Sequence, residues 1–184
     1  MDVDNERRWV VLGLGGLVLG TALACKKGSS SSSGGSSTSS PASDEYLTIP
    51  NTTVQIKAPT GWNRKQSGEW GMLGSPDKKA LLAFVNFDRP GESTAKLGQV
   101  AMVLGTSDIK WGSAKSITIG PDAMPAQAAD GTCKFPAGDG IISYATVNPG
   151  SSTQILIVYA VENAAPAATR QQAIATVGSM RRKR

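Results

Sequence analysis

Ile141-Ile142-Ser143-Tyr144-Ala145-Thr146-Val147, then Asn148-Pro149-Gly150-Ser151, then Gln154 to Val161, is the stretch that decides the fold. Two apolar runs separated by a Pro-Gly turn cluster read as two strands joined in a hairpin. C-terminal to them, Pro166 stands at the start of a helix that runs to about Met180, with Ile174 and Val177 facing inward. N-terminal to them, Ala126 to Phe135 reads as a strand that ends in the turn Pro136 to Gly140, and Lys110 to Ile119 contains another, closed by Gly120-Pro121-Asp122.

Further back, Ser93 opens a helix through about Leu104. Leu97, Val100, Ala101 and Leu104 fall at helical spacing, and Gly105 follows as a stop. Ala80 to Phe87 is apolar on both of its sides, the pattern of a central strand. Ser75-Pro76-Asp77-Lys78 is a turn with proline at its favoured second place, and Glu69 to Leu73 is a short strand before it. Thr53-Val54-Gln55-Ile56-Lys57-Ala58 alternates as a half-buried strand does, and Pro59-Thr60-Gly61 turns the chain. The order is three strands, a helix, four strands and a helix. Strand runs broken by two helices indicate an α+β domain: an antiparallel sheet of about six or seven strands with two main helices packed on it.

Residues 44–184 have the size of one such domain. The whole chain holds 19 Lys and Arg against 14 Asp and Glu, but Arg181 to Arg184 alone supply the excess of residues 44–184. The rest of the globular body is close to neutral, so the basic balance gives no argument for nucleic acid as a partner. The last four residues read as a short basic tail that complements a helix C-terminus, with anionic lipid as its other possible contact.

The first 24 residues have another character. Arg7 and Arg8 precede an apolar run from Trp9 to Ala24, and small residues lead to Cys25 and then Lys26-Lys27. Positive charge, apolar stretch and small-residue cleavage site form the layout of a secretory signal. At about 16 residues the run is short for a bilayer core of ~30 Å. The segment resembles a bacterial lipoprotein signal, which implies cleavage between Ala24 and Cys25 and acylation of Cys25. By the same resemblance, Lys26 in place of an aspartate points to the outer rather than the inner membrane. Residues 25–43 follow as a linker in which Gly28 to Ser43 is nearly all serine and glycine. Such a tract cannot bury enough apolar surface to offset its ordering entropy. It reads as a flexible tether with a reach of ~20–25 Å.

The strand and helix order, together with Pro59-Thr60-Gly61-Trp62 at the end of the first strand, resembles the PsbP-like fold. Ser75-Pro76-Asp77 before the third strand and Ala126 to Gly131 leading into two long strands match in kind. The resemblance spans about Ile49 to Met180. It implies an α/β/α sandwich used as a binding or assembly platform, and it carries no catalytic residues across.

The chain has no histidine, which removes the commonest general base and the commonest zinc ligand. With Cys25 acylated, Cys133 is the remaining thiol. It reads as a nucleophile activated by Lys134 or as a small buried residue on a strand, and alternation puts Lys134 on the opposite side. The aspartates sit in turns at no metal-loop spacing. No cofactor or metal is expected. Trp62, Trp70 and Trp111 are the candidate binding residues: they would line a groove for a glycan or peptide, or pack the core with their N–H groups satisfied. The expectation is a non-enzymatic envelope protein, anchored in the membrane by lipid, that binds or helps assemble another envelope component. A small-ligand carrier with a pocket between sheet and helices is the alternative, and a hydrolase or thiol enzyme is a third reading.

Overall fold

The computed structural model describes residues 45–88, 92–150 and 152–184. The signal segment 1–24, the acylation site Cys25 and the tether through residue 43 lie outside the described residues.

The body is one antiparallel sheet of eight strands. In chain order they are β3 (Asn63–Ser67), β4 (Trp70–Gly74), β5 (Ala80–Phe87), β6 (Ser107–Trp111), β7 (Lys115–Ile119), β8 (Met124–Phe135), β9 (Gly138–Val147) and β10 (Gln154–Glu162). Across the sheet the order is β3-β4-β5-β10-β9-β8-β6, and β7 also pairs with β8. A second sheet joins β1 (Tyr46–Thr48), β2 (Val54–Lys57) and β11 (Arg181–Arg182), with β2 in the middle. The hairpin read from Ile141 onward is β9-β10, with Val147 opposite Ile155.

Both faces of β5 and β10 are apolar, and both are covered. Helix α1 (Glu92–Val103) covers one face, burying Val100 and Ala101 and reaching Leu104 just beyond its end. There it meets Ala83, Val85, Leu156 and Val158. Helix α2 (Ala167–Gly178) and the small sheet cover the other, where Ile56, Trp62, Phe84, Ile157 and Met180 share one core. This is the expected α+β sandwich with one helix on each side.

Four details differ from the sequence reading. The main sheet has eight strands rather than six or seven. One addition is β3, whose residues are polar and exposed throughout, so that no apolar alternation announces it. It is an edge strand, and Arg64 and Lys65 discourage a further chain from pairing there. Another is the division of residues 110–119: β6 and β7 both pair with β8, separated by a break in which the Gly112 N–H donates to the Asp130 carbonyl at 2.7 Å. In α2 the inward residues are Ala173 and Thr176, with Val177 partly buried, while Ile174 is 45% exposed. Finally, the basic end is no solvated tail. Arg181 and Arg182 pair with Gln55 and Val54, and the Lys183 N–H donates to the Thr53 carbonyl at 2.6 Å.

The connection from α2 into β11 depends on two side chains. Ser179 ends the helix, donates to the Thr176 carbonyl at 2.6 Å and accepts the Lys57 N–H at 2.8 Å. Met180 is then fully buried, and its carbonyl presses on Gly120. Gly120 has φ +73°, and a Cβ there would lie 1.7 Å from the Met180 oxygen. Both the backbone conformation and the close approach require glycine. Gly120→Ala is expected to destabilise the domain by about 2 kcal/mol or more, read as a lower denaturant midpoint with an unchanged slope.

Candidate functional site

Alternation along β9 and β10 sends Ile142, Tyr144, Leu156 and Val158 toward α1. Because α1 lies over β5 and β10, its two flanks are open. On the β4 flank stands Trp70, half-buried, with the Lys96 ammonium 6.0 Å from its ring centroid and the Glu69 carboxylate 3.5 Å from the same Nζ. On the β9 flank, Trp111 and Tyr144 meet edge to face at 5.0 Å and 87°, a favoured aromatic geometry. The Trp111 ring also rests on Gly131, its cross-strand partner. Between α1 and this flank runs a cleft of about 200 Å³ lined by Ser93, Thr94, Leu97, Gln127, Tyr144 and Thr146. The last turn of α1 leaves Met102 74% and Val103 56% exposed.

Of the three tryptophans, Trp70 and Trp111 therefore share a face on opposite sides of a helix. Trp62 belongs to the core of the other face: it is 5% exposed, and its Nε1–H donates to Gln172 Oε1 at 3.1 Å. One groove does not contain all three. Tyr144, which the sequence reading did not single out, completes the β9 flank. Its place two residues after Ile142 on one strand is the signal that puts it there.

Cys133 points into the α1-side core with Phe135 and Ile142 and is 3% exposed. Burial pushes its thiol up to about 11, the opposite of what a thiolate nucleophile needs. Its neighbour Lys134 turns outward to an ion pair with Asp108 at 3.3 Å. These two acid and base residues line an open groove of about 590 Å³ with Lys110 and Asp139. The turn aspartate Asp77 accepts from the Ser75 hydroxyl at 2.5 Å and the Lys79 N–H at 3.1 Å, and the Ser75 bond above all holds its carboxyl below the usual range. Among the described residues no three His, Cys, Asp or Glu side chains gather as metal ligands.

One polar row was not foreseen. Asp130, Ser143 and Tyr159 are register partners on β8, β9 and β10. Ser143 Oγ donates to Asp130 Oδ1 at 2.6 Å, and burial pushes Tyr159 up to about 12. A neutral, buried phenol does not serve as a base near neutral pH, and the row acts as a tie across three strands.

No protein-family profile matches the chain, and no curated protein matches it by sequence. Solved structures do match. Cyanobacterial PsbP (CyanoP) from Synechocystis sp. PCC 6803 superposes with a TM-score of 0.51 at 11% identity, over 81% of this chain and 98% of that one. A protein of Bacteroides thetaiotaomicron VPI-5482 has a TM-score of 0.49 at 13% identity, over 76% of this chain and 48% of its own. LpqN of Mycobacterium tuberculosis, which is involved in cell envelope biogenesis, has a TM-score of 0.41 at 10% identity, over 74% and 88%. The fold of this chain is PsbP-like.

The Cys133 thiol also gives the domain a pH dependence. The unfolded thiol ionises near its ordinary value of 9.0, while the folded one stays protonated to about 11. Between these values the unfolded state binds fewer protons, so stability falls as pH rises. Stability measured by denaturation from pH 8 to pH 11 is expected to drop across that window, and Cys133→Ala is expected to flatten the drop.

Proposed function

We propose that this protein is a non-enzymatic, lipid-anchored component of a bacterial cell envelope, held by Cys25 and displayed on the 25–43 tether. Its domain binds another envelope component through the α1 side of the main sheet. The observation that carries the reading is the order of the chain: a charged and apolar leader, a cysteine, a serine-glycine tract, and then a single PsbP-like domain. The envelope role of LpqN is compatible with this order and adds no argument of its own.

The choice of surface rests on exposure. Met102, Val103, Trp70 and the Trp111–Tyr144 pair leave apolar area on the α1 side, and aromatic residues and methionine are enriched where proteins meet proteins. The carrier alternative needs a cavity of roughly 300–1,000 Å³. The cleft between α1 and the sheet holds about 200 Å³, and the groove of about 590 Å³ by Lys110 and Asp139 is open and lined by strands and loops rather than enclosed between sheet and helix, which favours a macromolecular partner over an enclosed small ligand. Placement on the outer membrane is part of the proposal and rests on Lys26.

The test combines intact mass with site-directed crosslinking in membranes. A diacyl or triacyl mass on a fragment that starts at Cys25, lost in Cys25→Ser, is expected. A photo-reactive residue in place of Met102 is expected to capture one discrete envelope protein, and the same group in place of Thr132 none. An unlipidated, soluble wild-type chain overturns the anchor, and equal capture from both positions overturns the choice of surface.

A further inference from the structure

Positive charge is concentrated in one part of the domain. Lys57 on β2, Arg64 and Lys65 on β3, and the run Arg181 to Arg184 in and after β11 give residues 44–67 and 181–184 seven bases against two acids, Asp44 and Glu45. Residues 68–180 hold eight bases against nine acids, so they nearly balance. The basic segments are neighbours in space. β2 pairs with both β1 and β11. β3 reaches the first strand through Gln66 Nε2 to the Thr48 carbonyl at 3.4 Å and through the Arg64–Glu45 pair at 3.3 Å.

The charges are also held in place. The Arg181 guanidinium stacks 3.3 Å from the Tyr46 ring centroid. The Arg182 N–H donates to Asp122 Oδ2 at 2.6 Å, and its Nε donates to the Pro149 carbonyl at 2.9 Å. The chain enters the described domain at Glu45, beside this sheet, after 44 residues that include the leader and the tether. The basic surface and the first described residue, Glu45, thus lie on one side of the domain.

We infer that the β1-β2-β11 sheet and the adjoining β3 edge form the membrane-facing side of the domain, docking on the anionic phospholipid headgroups of the bilayer that carries the anchor. This rests on the anchored reading above. A tether with a reach of ~20–25 Å brings the domain close to the surface. Lys and Arg near an anionic leaflet are attracted over about one Debye length, ~10 Å at 0.1 M salt. The near-neutral remainder of the domain feels little of that pull. Docking by this side would leave the tether slack, orient the sheets against the bilayer and keep the α1 side free for a partner.

Lysine acetylation read by mass spectrometry tests the inference on the mature acylated chain, starting at Cys25, in vesicles. Phosphatidylcholine vesicles are compared with vesicles that also contain phosphatidylglycerol. Lys65 and Lys183 report the basic side, and Lys110, exposed on β6 at the far edge of the sheet, reports the remainder. Labelling of Lys65 and Lys183 is expected to slow about tenfold on the anionic vesicles relative to Lys110. The protection should disappear at ~1 M salt, where the Debye length is ~3 Å, and in the double variant Arg182→Gln/Arg184→Gln. An unchanged far-ultraviolet circular dichroism spectrum of that variant checks that the domain is still folded. A second variant, Lys65→Gln, leaves β11 untouched and should reduce the protection of Lys183. Equal labelling on both vesicles, with the chain still bound to them, overturns the docking and leaves the anchor standing. A chain that floats with neither vesicle overturns both. Protection that survives high salt assigns the basic side to a different partner and overturns the lipid reading.

Discussion

The pairing of β5 with β10 is the constraint on which the rest depends. Eight residues of β5 face eight of β10, and nearly every side chain on either face of the pair is apolar and buried. A strand pair that cannot show either face to water must be covered twice. One helix covers one side. On the other, α2 is not wide enough, and a second sheet built from both termini of the domain completes the layer. The asymmetry of the domain follows: a thin cover with open flanks beside α1, and a thick cover that brings together the first and last strands of the described residues.

That asymmetry separates two kinds of surface. The thin side exposes aromatic and thioether groups around α1, with a small, largely uncharged cleft. The thick side carries guanidinium groups held by Tyr46, Pro149 and Glu45, with exposed Lys65 and Lys183 beside them, at the place where the chain enters the domain. Apolar exposure suits a packed interface with another protein, and fixed positive charge suits long-range attraction to an anionic surface. On the proposed reading, one small domain would hold an orientation with one side and present the other.

Much of the fold was legible in the sequence because its centre is the most strongly patterned part. β5, the β9-β10 hairpin and α1 announce themselves through apolar runs, a Pro-Gly turn and a glycine stop. The periphery does not. β3 is a strand only because its backbone pairs with β4, and its polar side chains carry no period. β11 has two residues, both arginine, and reads as a tail until β2 offers it an edge. Ile174 looks like a core residue by type, but the rotation of α2 gives the inward places to Ala173 and Thr176, which let the helix approach closely. For the site, the tryptophans were visible as residues and their faces were not. Whether Trp62 and Trp111 share a side depends on where turns reverse the chain and on register. The same is true of the Asp130-Ser143-Tyr159 row, whose members are far apart in sequence and adjacent across strands.

The small sheet has a consequence for the order of events during folding. Its closing pair joins Val54 and Gln55 to Arg182 and Arg181, so one of its two ladders spans most of the domain's length. Ladders of such long range close slowly, because loop entropy is lost before any bond is gained. A chain emerging N-terminus first must hold Val54 and Ile56 without their final cover until residue 182 is available. The β2–β11 ladder therefore cannot close, and Arg181 and Arg182 cannot join the charged surface, until the C-terminal end of the domain is in place.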